Sequence, residues 1–206
     1  MHLDDIAGIA HEPAGDPAGV VLLTHGAGGS SDAPMLVRIC DEWAGRGWLA
    51  IRYNLPFRRA RPKGPPRQGA AATDREGVAE AVSVARGLTD GPVIAGGHSY
   101  GGRMTSMTVA GDGVAVDVLT LFSYPLHPPG KPERARTEHL PRIGVPTVFT
   151  HGTADPFGSI DELTAAAALV GGPTELVEIT GARHDLGSKT LDVPKLAVDA
   201  ALRLLA

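Results

Sequence analysis

The chain has 206 residues, 43% of them hydrophobic and 20% charged, with a net charge of −4. That length suits one domain with a sizeable core, spanning residues 1–206, and the mildly acidic balance argues against general nucleic-acid or membrane-surface binding. No apolar run approaches the roughly 20 residues that cross a bilayer, and a single cysteine, Cys40, excludes an internal disulfide.

The start, Met1-His2-Leu3-Asp4-Asp5, is acidic and lacks the basic and apolar regions of a secretory signal, so a cytoplasmic protein is expected. Residues 19–24 (GVVLLT) read as a buried strand, and 32–45 as an amphipathic helix with Leu36, Ile39, Cys40 and Trp43 on one stripe. On that stripe Cys40 is a small core residue rather than a nucleophile. A strand follows at 48–53, then a helix at 73–88 with Val78, Ala81, Val82, Ala85 and Leu88 on one face. Residues 92–96 form a strand and 103–110 a helix. Strands at 116–122 and 146–150, a helix at 159–170, a strand at 174–179 and a closing helix at 191–205 complete the chain.

The strands are short and rich in Val, Ile and Leu without alternation, as expected when both faces are covered. Alternating β and α elements predict an α/β fold, a mostly parallel doubly wound sheet flanked by helices. Two loops stand out. Residues 54–72 are rich in proline and arginine, and residues 124–132 hold Pro125, Pro128, Pro129 and Pro132. Proline fixes φ, so the second loop should form a stiff wall.

Between the strand at 92–96 and the helix at 103–110 stands Gly97-His98-Ser99-Tyr100-Gly101-Gly102. G-x-S-x-G in that context places a serine on a sharp strand-to-helix turn above a parallel sheet. Gly97 and Gly101 remove the side chains that would collide there. The same residues could form a glycine-rich turn with no chemistry.

A serine hydroxyl needs an adjacent base. In a nucleophile turn of this kind the partners follow in chain order, acid then histidine. Of eight histidines, only His184 lies beyond the last strand, in a short loop before the closing helix. Asp155 follows the strand at 146–150 and ends on the same sheet edge as Ser99. Asp161 and Glu162 fit first-turn helix charges, and Asp185 adjoins His184 too closely in sequence to orient it. Asp155 could alternatively be a turn residue and His184 a loop histidine.

Acyl transfer also needs two backbone N–H donors for the developing oxyanion. Tyr100, after the nucleophile, supplies one. Ala27, in the glycine-rich loop Thr24-His25-Gly26-Ala27-Gly28-Gly29, is the candidate for the other. A phosphate loop fails on detail, since no Walker lysine follows and Ser31 replaces the third glycine. His25 and His151 precede glycines at strand ends without metal-ligand spacing, so neither metal nor cofactor is expected.

Arg58, Arg59, Arg61, Lys63 and Arg67 form a basic stretch after a strand. It reads either as a rim attracting anionic substrates or as a solvated loop. His25, Arg58, Leu126 and His127 are the candidate substrate contacts.

Together these motifs resemble the α/β-hydrolase superfamily over nearly the whole chain. Arg52-Tyr53-Asn54-Leu55-Pro56-Phe57, the Ser99 segment and Tyr124-Pro125-Leu126-His127-Pro128-Pro129 are similar to a small, cap-less, dienelactone-hydrolase-like subgroup. The resemblance implies triad roles for Ser99, Asp155 and His184 and oxyanion roles for Ala27 and Tyr100. True dienelactone hydrolases carry cysteine at the position of Ser99. The expected partner is a small acyl substrate, an ester or thioester, cleaved through an acyl-enzyme. Acyl transfer to another acceptor, or a non-catalytic binding module on the same fold, stays open.

Overall fold

In a computed structural model, residues 3–111 and 113–206 are described. Seven strands form one sheet in the order β1-β3-β2-β4-β5-β6-β7. They are β1 (Gly8–His11), β2 (Val20–Thr24), β3 (Leu49–Tyr53), β4 (Val93–His98), β5 (Val118–Phe122), β6 (Thr147–Gly152) and β7 (Thr174–Ile179). Only β1 runs antiparallel, pairing with β3; every other neighbouring pair is parallel. The reversal of winding on the two sides of β4 opens a crevice at its C-terminal end, where ligands bind in sheets of this kind.

Among the described residues six α-helices cover the sheet: α1 (Pro34–Gly45), α2 (Pro56–Ala60), α3 (Ala70–Arg86), α4 (Tyr100–Gly111), α5 (Ile160–Ala167) and α6 (Val193–Leu205). Strand pleating sends alternate residues to opposite faces. Ile94, Val118, Phe122 and Val148 point to α1 and α6, where they meet Leu36, Ile39, Trp43, Ala197 and Val198. Val93 and Ala95 pack on the other face against Val78, Ala81 and Met104 of α3 and α4. Leu119, Leu121 and Phe149 extend that face under Leu163 and Ala166 of α5. Burial on both sides explains why these strands read as continuous apolar runs.

The expected doubly wound architecture holds, with shifts at element ends. α1 starts at Pro34, whose missing N–H suits a first helical position. β4 runs on to His98, so the turn carries Ser99 directly off the strand. Two elements lie outside the expected set, β1 in a segment given no element and α2 within the loop at 54–72. β1 is a four-residue edge strand with half-exposed sides, and α2 is a single proline-started turn inside the arginine-rich loop. Among the described residues no separate layer covers the C-terminal edge of the sheet, and no helix is long and apolar enough to cross a membrane.

Candidate active site

Ser99 has φ +51°, a left-handed conformation that side chains rarely adopt. Its N–H donates to Phe122 O at 2.8 Å, and its carbonyl accepts from Arg103 N–H at 2.9 Å. These bonds clamp the turn between β5 and the first turn of α4, so the surroundings hold the strain. The glycine requirement is steric. A Cβ on Gly97 would lie 2.6 Å from Thr24 O, and one on Gly101 would lie 2.5 Å from His25 O. Both obstacles are backbone and cannot turn away.

His184 and Asp155 converge on this turn. The Ser99 hydroxyl lies 2.8 Å from His184 Nε2, and His184 Nδ1 lies 2.8 Å from Asp155 Oδ2. An ionised carboxylate can only accept, so Nδ1 carries the proton and Nε2 accepts from the serine. The Asp155 side chain is fully buried. Burial opposes its charge, but hydrogen bonds from His184 and from the Phe157 N–H (2.9 Å) outweigh that penalty. Asp155 is therefore held below the usual aspartate range.

The loops bearing the two residues are tied to each other. Ala154 N–H donates to Ala182 O, and Gly181 N–H to the Thr153 hydroxyl. The Phe157 ring packs on the His184 ring at 4.3 Å between centroids. His98 Nε2–H donates to His184 O at 2.7 Å, fixing the backbone of the loop. His98 and Phe157 were not among the expected site residues. Their only sequence signal is adjacency, one before Ser99 and two after Asp155. His151 is fully buried, donates Nε2–H to Gly158 O at 3.0 Å, and burial depresses its basicity.

Ala27 and Tyr100 are half-buried and flank Ser99 from the first loop and from α4. Their positions depend on α2. Arg58 was expected at the rim, but it is 6% exposed. Its Nε donates to Gly29 O at 2.7 Å and its Nη2 to Ala27 O at 3.1 Å and Gly64 O at 3.0 Å, while Nη1 donates to Arg61 O. Arg58 thus clasps the Ala27 loop from inside instead of facing substrate. Arg61, Lys63 and Arg67 are exposed.

His25 is also corrected from a substrate contact to a buried strut. It is 0% exposed, its Nδ1–H donates to Gly26 O at 2.9 Å, and its Nε2 accepts from Leu55 N–H at 3.2 Å. Burial lowers its pKa to about 4, so it stays neutral. Phe57 stands edge-on to both the His25 and Tyr100 rings. The buried Asp74 carboxylate accepts from Phe57 N–H at 2.9 Å and from the Tyr100 hydroxyl at 2.7 Å. One short helix therefore braces both loop and elbow.

Leu126 and His127 are buried as well. Leu126 packs against Gly158 and the α5 cluster. His127 uses its ring nitrogens on Pro128 O (2.9 Å) and on Glu162 (3.3 Å). Both face a recess of about 380 Å³ bounded by Ala166 and Leu169 of the α5 side, not the Ser99 hydroxyl. The wall itself is anchored to the Asp155 loop, because His127 N–H donates to Phe157 O at 3.0 Å. Next to the Ser99–His184 contact lies a second recess of about 330 Å³, bounded by Met35, Arg38, His98, Leu186 and Val193. Cys40 is buried in the core, which pushes its thiol up to about 12. Among the described residues no group of three or more His, Cys, Asp or Glu could hold a metal ion.

Residues 17–195 match the family described as the alpha/beta hydrolase domain. Among solved structures, Est1E from Butyrivibrio proteoclasticus with bound ferulic acid superposes with a TM-score of 0.76 at 16% identity, covering 96% of this chain and 93% of that one. Dienelactone hydrolase from Anabaena variabilis gives 0.75 at 20% identity, covering 97% and 92%. An alpha-beta serine hydrolase homologue from Coxiella burnetii gives 0.70 at 15%, covering 96% and 89%. At such identities these likenesses speak to the fold alone. The family match takes in most of the chain, and the chain belongs to the alpha/beta hydrolase domain family.

Proposed function

We propose that the protein is a serine hydrolase that cleaves an ester, thioester or similar acyl bond of a small substrate. The observation that carries this reading is the continuous Ser99–His184–Asp155 hydrogen-bond chain, with both contacts at 2.8 Å. In the first half-reaction the Ser99 hydroxyl proton passes to His184 Nε2 as Oγ attacks the acyl carbon. The carbonyl electron pair moves to oxygen, where the N–H groups of Ala27 and Tyr100 receive it. The N-terminus of α4 adds favourable potential there. His184 then gives its proton to the departing alcohol or thiol, leaving an acyl-Ser99. A water molecule repeats the sequence: His184 takes its proton, acid is released and Ser99 recovers its hydrogen. Asp155 orients the Nδ1–H tautomer and stabilises the transient imidazolium.

Est1E and the dienelactone hydrolase share the fold on which this turn is built. The crevice is bordered by loops and not by a cap layer, which favours small acyl groups. The test is covalent modification: a fluorophosphonate should form an adduct at Ser99, and Ser99→Ala protein should form none.

A further inference from the structure

Among the described residues, Arg103 is the arginine that holds a buried nitrogen without a hydrogen-bond partner. It lies in the first turn of α4, four residues after Ser99, and its own N–H is bonded to Ser99 O. Helix side chains lean toward the helix N-terminus, which here is the Ser99 end. The Nε of Arg103 is sealed from solvent and has no hydrogen-bond partner. Among the described residues its side chain joins no ion pair, although the residue stays partly exposed.

A second guanidinium stands across from it, on the wall that follows β5. Arg136 donates from Nη1 to Pro125 O at 2.9 Å, and its backbone bonds Leu126 O and the Tyr124 hydroxyl. Between the two elements pack buried Tyr124, Ser106 and His139, whose Nε2 lies 2.8 Å from the Ser106 hydroxyl. Arg103 is close enough to act through its charge on Tyr100, Tyr124, His139 and Arg136. His139 is kept neutral by burial and this charge. The carboxylate acting on Tyr124 and His139, Glu138, is exposed, and the buried Asp74 is bonded to the Tyr100 hydroxyl. Two partly buried guanidiniums thus lie within electrostatic reach of each other, and among the described residues neither joins an ion pair, an arrangement that costs free energy unless an anion joins it.

We infer that Arg103 and Arg136 form an anion subsite beside Ser99 that takes a carboxylate or phosphate group carried by the acyl substrate. A planar guanidinium pairs with such a group through two hydrogen bonds, and a second cation completes the clasp. Neither the esterase reading nor the basic stretch of the arginine-rich loop requires this site. It rests on the serine-hydrolase reading only for its place relative to the scissile bond.

The experiment compares the p-nitrophenyl monoester of glutarate, an anion, with its methyl-capped neutral analogue. Wild-type kcat/KM should favour the anion by about tenfold or more at low salt. Arg103→Gln and Arg136→Gln should each bring the ratio towards one. Thermal stability should separate binding from scaffolding, because removing an unpaired guanidinium in Arg103→Gln should leave the Tm unchanged or raise it. A wild-type ratio near one, or a ratio that survives in both variants, overturns the inference. Calorimetry on Ser99→Ala protein decides the point without turnover: monomethyl glutarate should bind more tightly than dimethyl glutarate, and equal binding overturns the subsite. Failure of Ser99 to react with a fluorophosphonate counts instead against the hydrolase reading.

Discussion

The Ser99 turn and the arginine-rich loop at residues 54–69 border the same crevice, yet they are specified differently. At the turn, the constraint is local backbone crowding. Gly97 and Gly101 are needed because a Cβ would strike a carbonyl within 2.6 Å, whatever the distant parts of the chain do. In the loop, the role of each arginine depends on what folds beside it. Arg58 and Arg59 are adjacent, but Arg58 is buried with four backbone acceptors while Arg59 reaches Asp5 O and Glu80 at the surface. Steric motifs therefore announce themselves in sequence. Charge runs do not reveal which member turns inward.

Breaking the turn should have the largest effect. Gly101→Ala drives a methyl group to 2.5 Å from His25 O, where neither side is a flexible side chain. A loss of about 3–5 kcal/mol in denaturant unfolding is expected, with hydrolase activity abolished. A variant within about 1 kcal/mol of wild type would show that the turn has room to relax.

Arg58→Gln sharpens the contrast from the other side. It leaves Ala27 O and Gly29 O without their charged donor and should cost about 2–3 kcal/mol. Because Arg58 braces the Ala27 loop, kcat should fall by a similar factor for neutral and anionic esters, with KM changed little. A selective loss for anionic esters would return Arg58 to the rim.

The smallest effect concerns His25, beneath the same loop. Burial lowers its pKa to about 4, against 6.5 when unfolded. Between those values the unfolded chain binds a proton that the folded chain refuses. Its contribution to stability is therefore complete above pH 6.5 and declines as pH falls towards 4, by at most about 1.4 kcal/mol per pH unit. Melting curves of His25→Gln across this range should show a shallower pH dependence than wild type. An unchanged slope contradicts a neutral, buried His25.

Much of this architecture was legible in the chain. Apolar runs such as Val20–Thr24 and Val118–Phe122 are buried on both faces, so composition alone marked them as central strands. Ser99, Asp155 and His184 were singled out by glycine spacing and by order along the sheet, and His184 lies within hydrogen-bond reach of both of the others. The sheet topology carries that information, since parallel strands deliver all their outgoing loops to one edge. What stayed hidden depends on partners distant in sequence. β1 has only four residues and owes its strand conformation to pairing with β3. The inward turn of Arg58 follows from carbonyls 29 and 31 residues away, and the Asp74–Tyr100 bond spans 26. Leu126 and His127 were expected as substrate contacts, but proline content does not say which side of a wall a residue faces.

The central claim is that His184, held by Asp155, activates Ser99. The rate of fluorophosphonate adduct formation measures it most directly, with the modified residue identified by peptide mass spectrometry. Wild-type protein should be modified at Ser99 alone. His184→Ala should react slower by about three orders of magnitude or more while keeping its melting transition, and Asp155→Asn should lose no more than that. Modification at another residue, or equal rates in wild type and a folded His184→Ala variant, would contradict it.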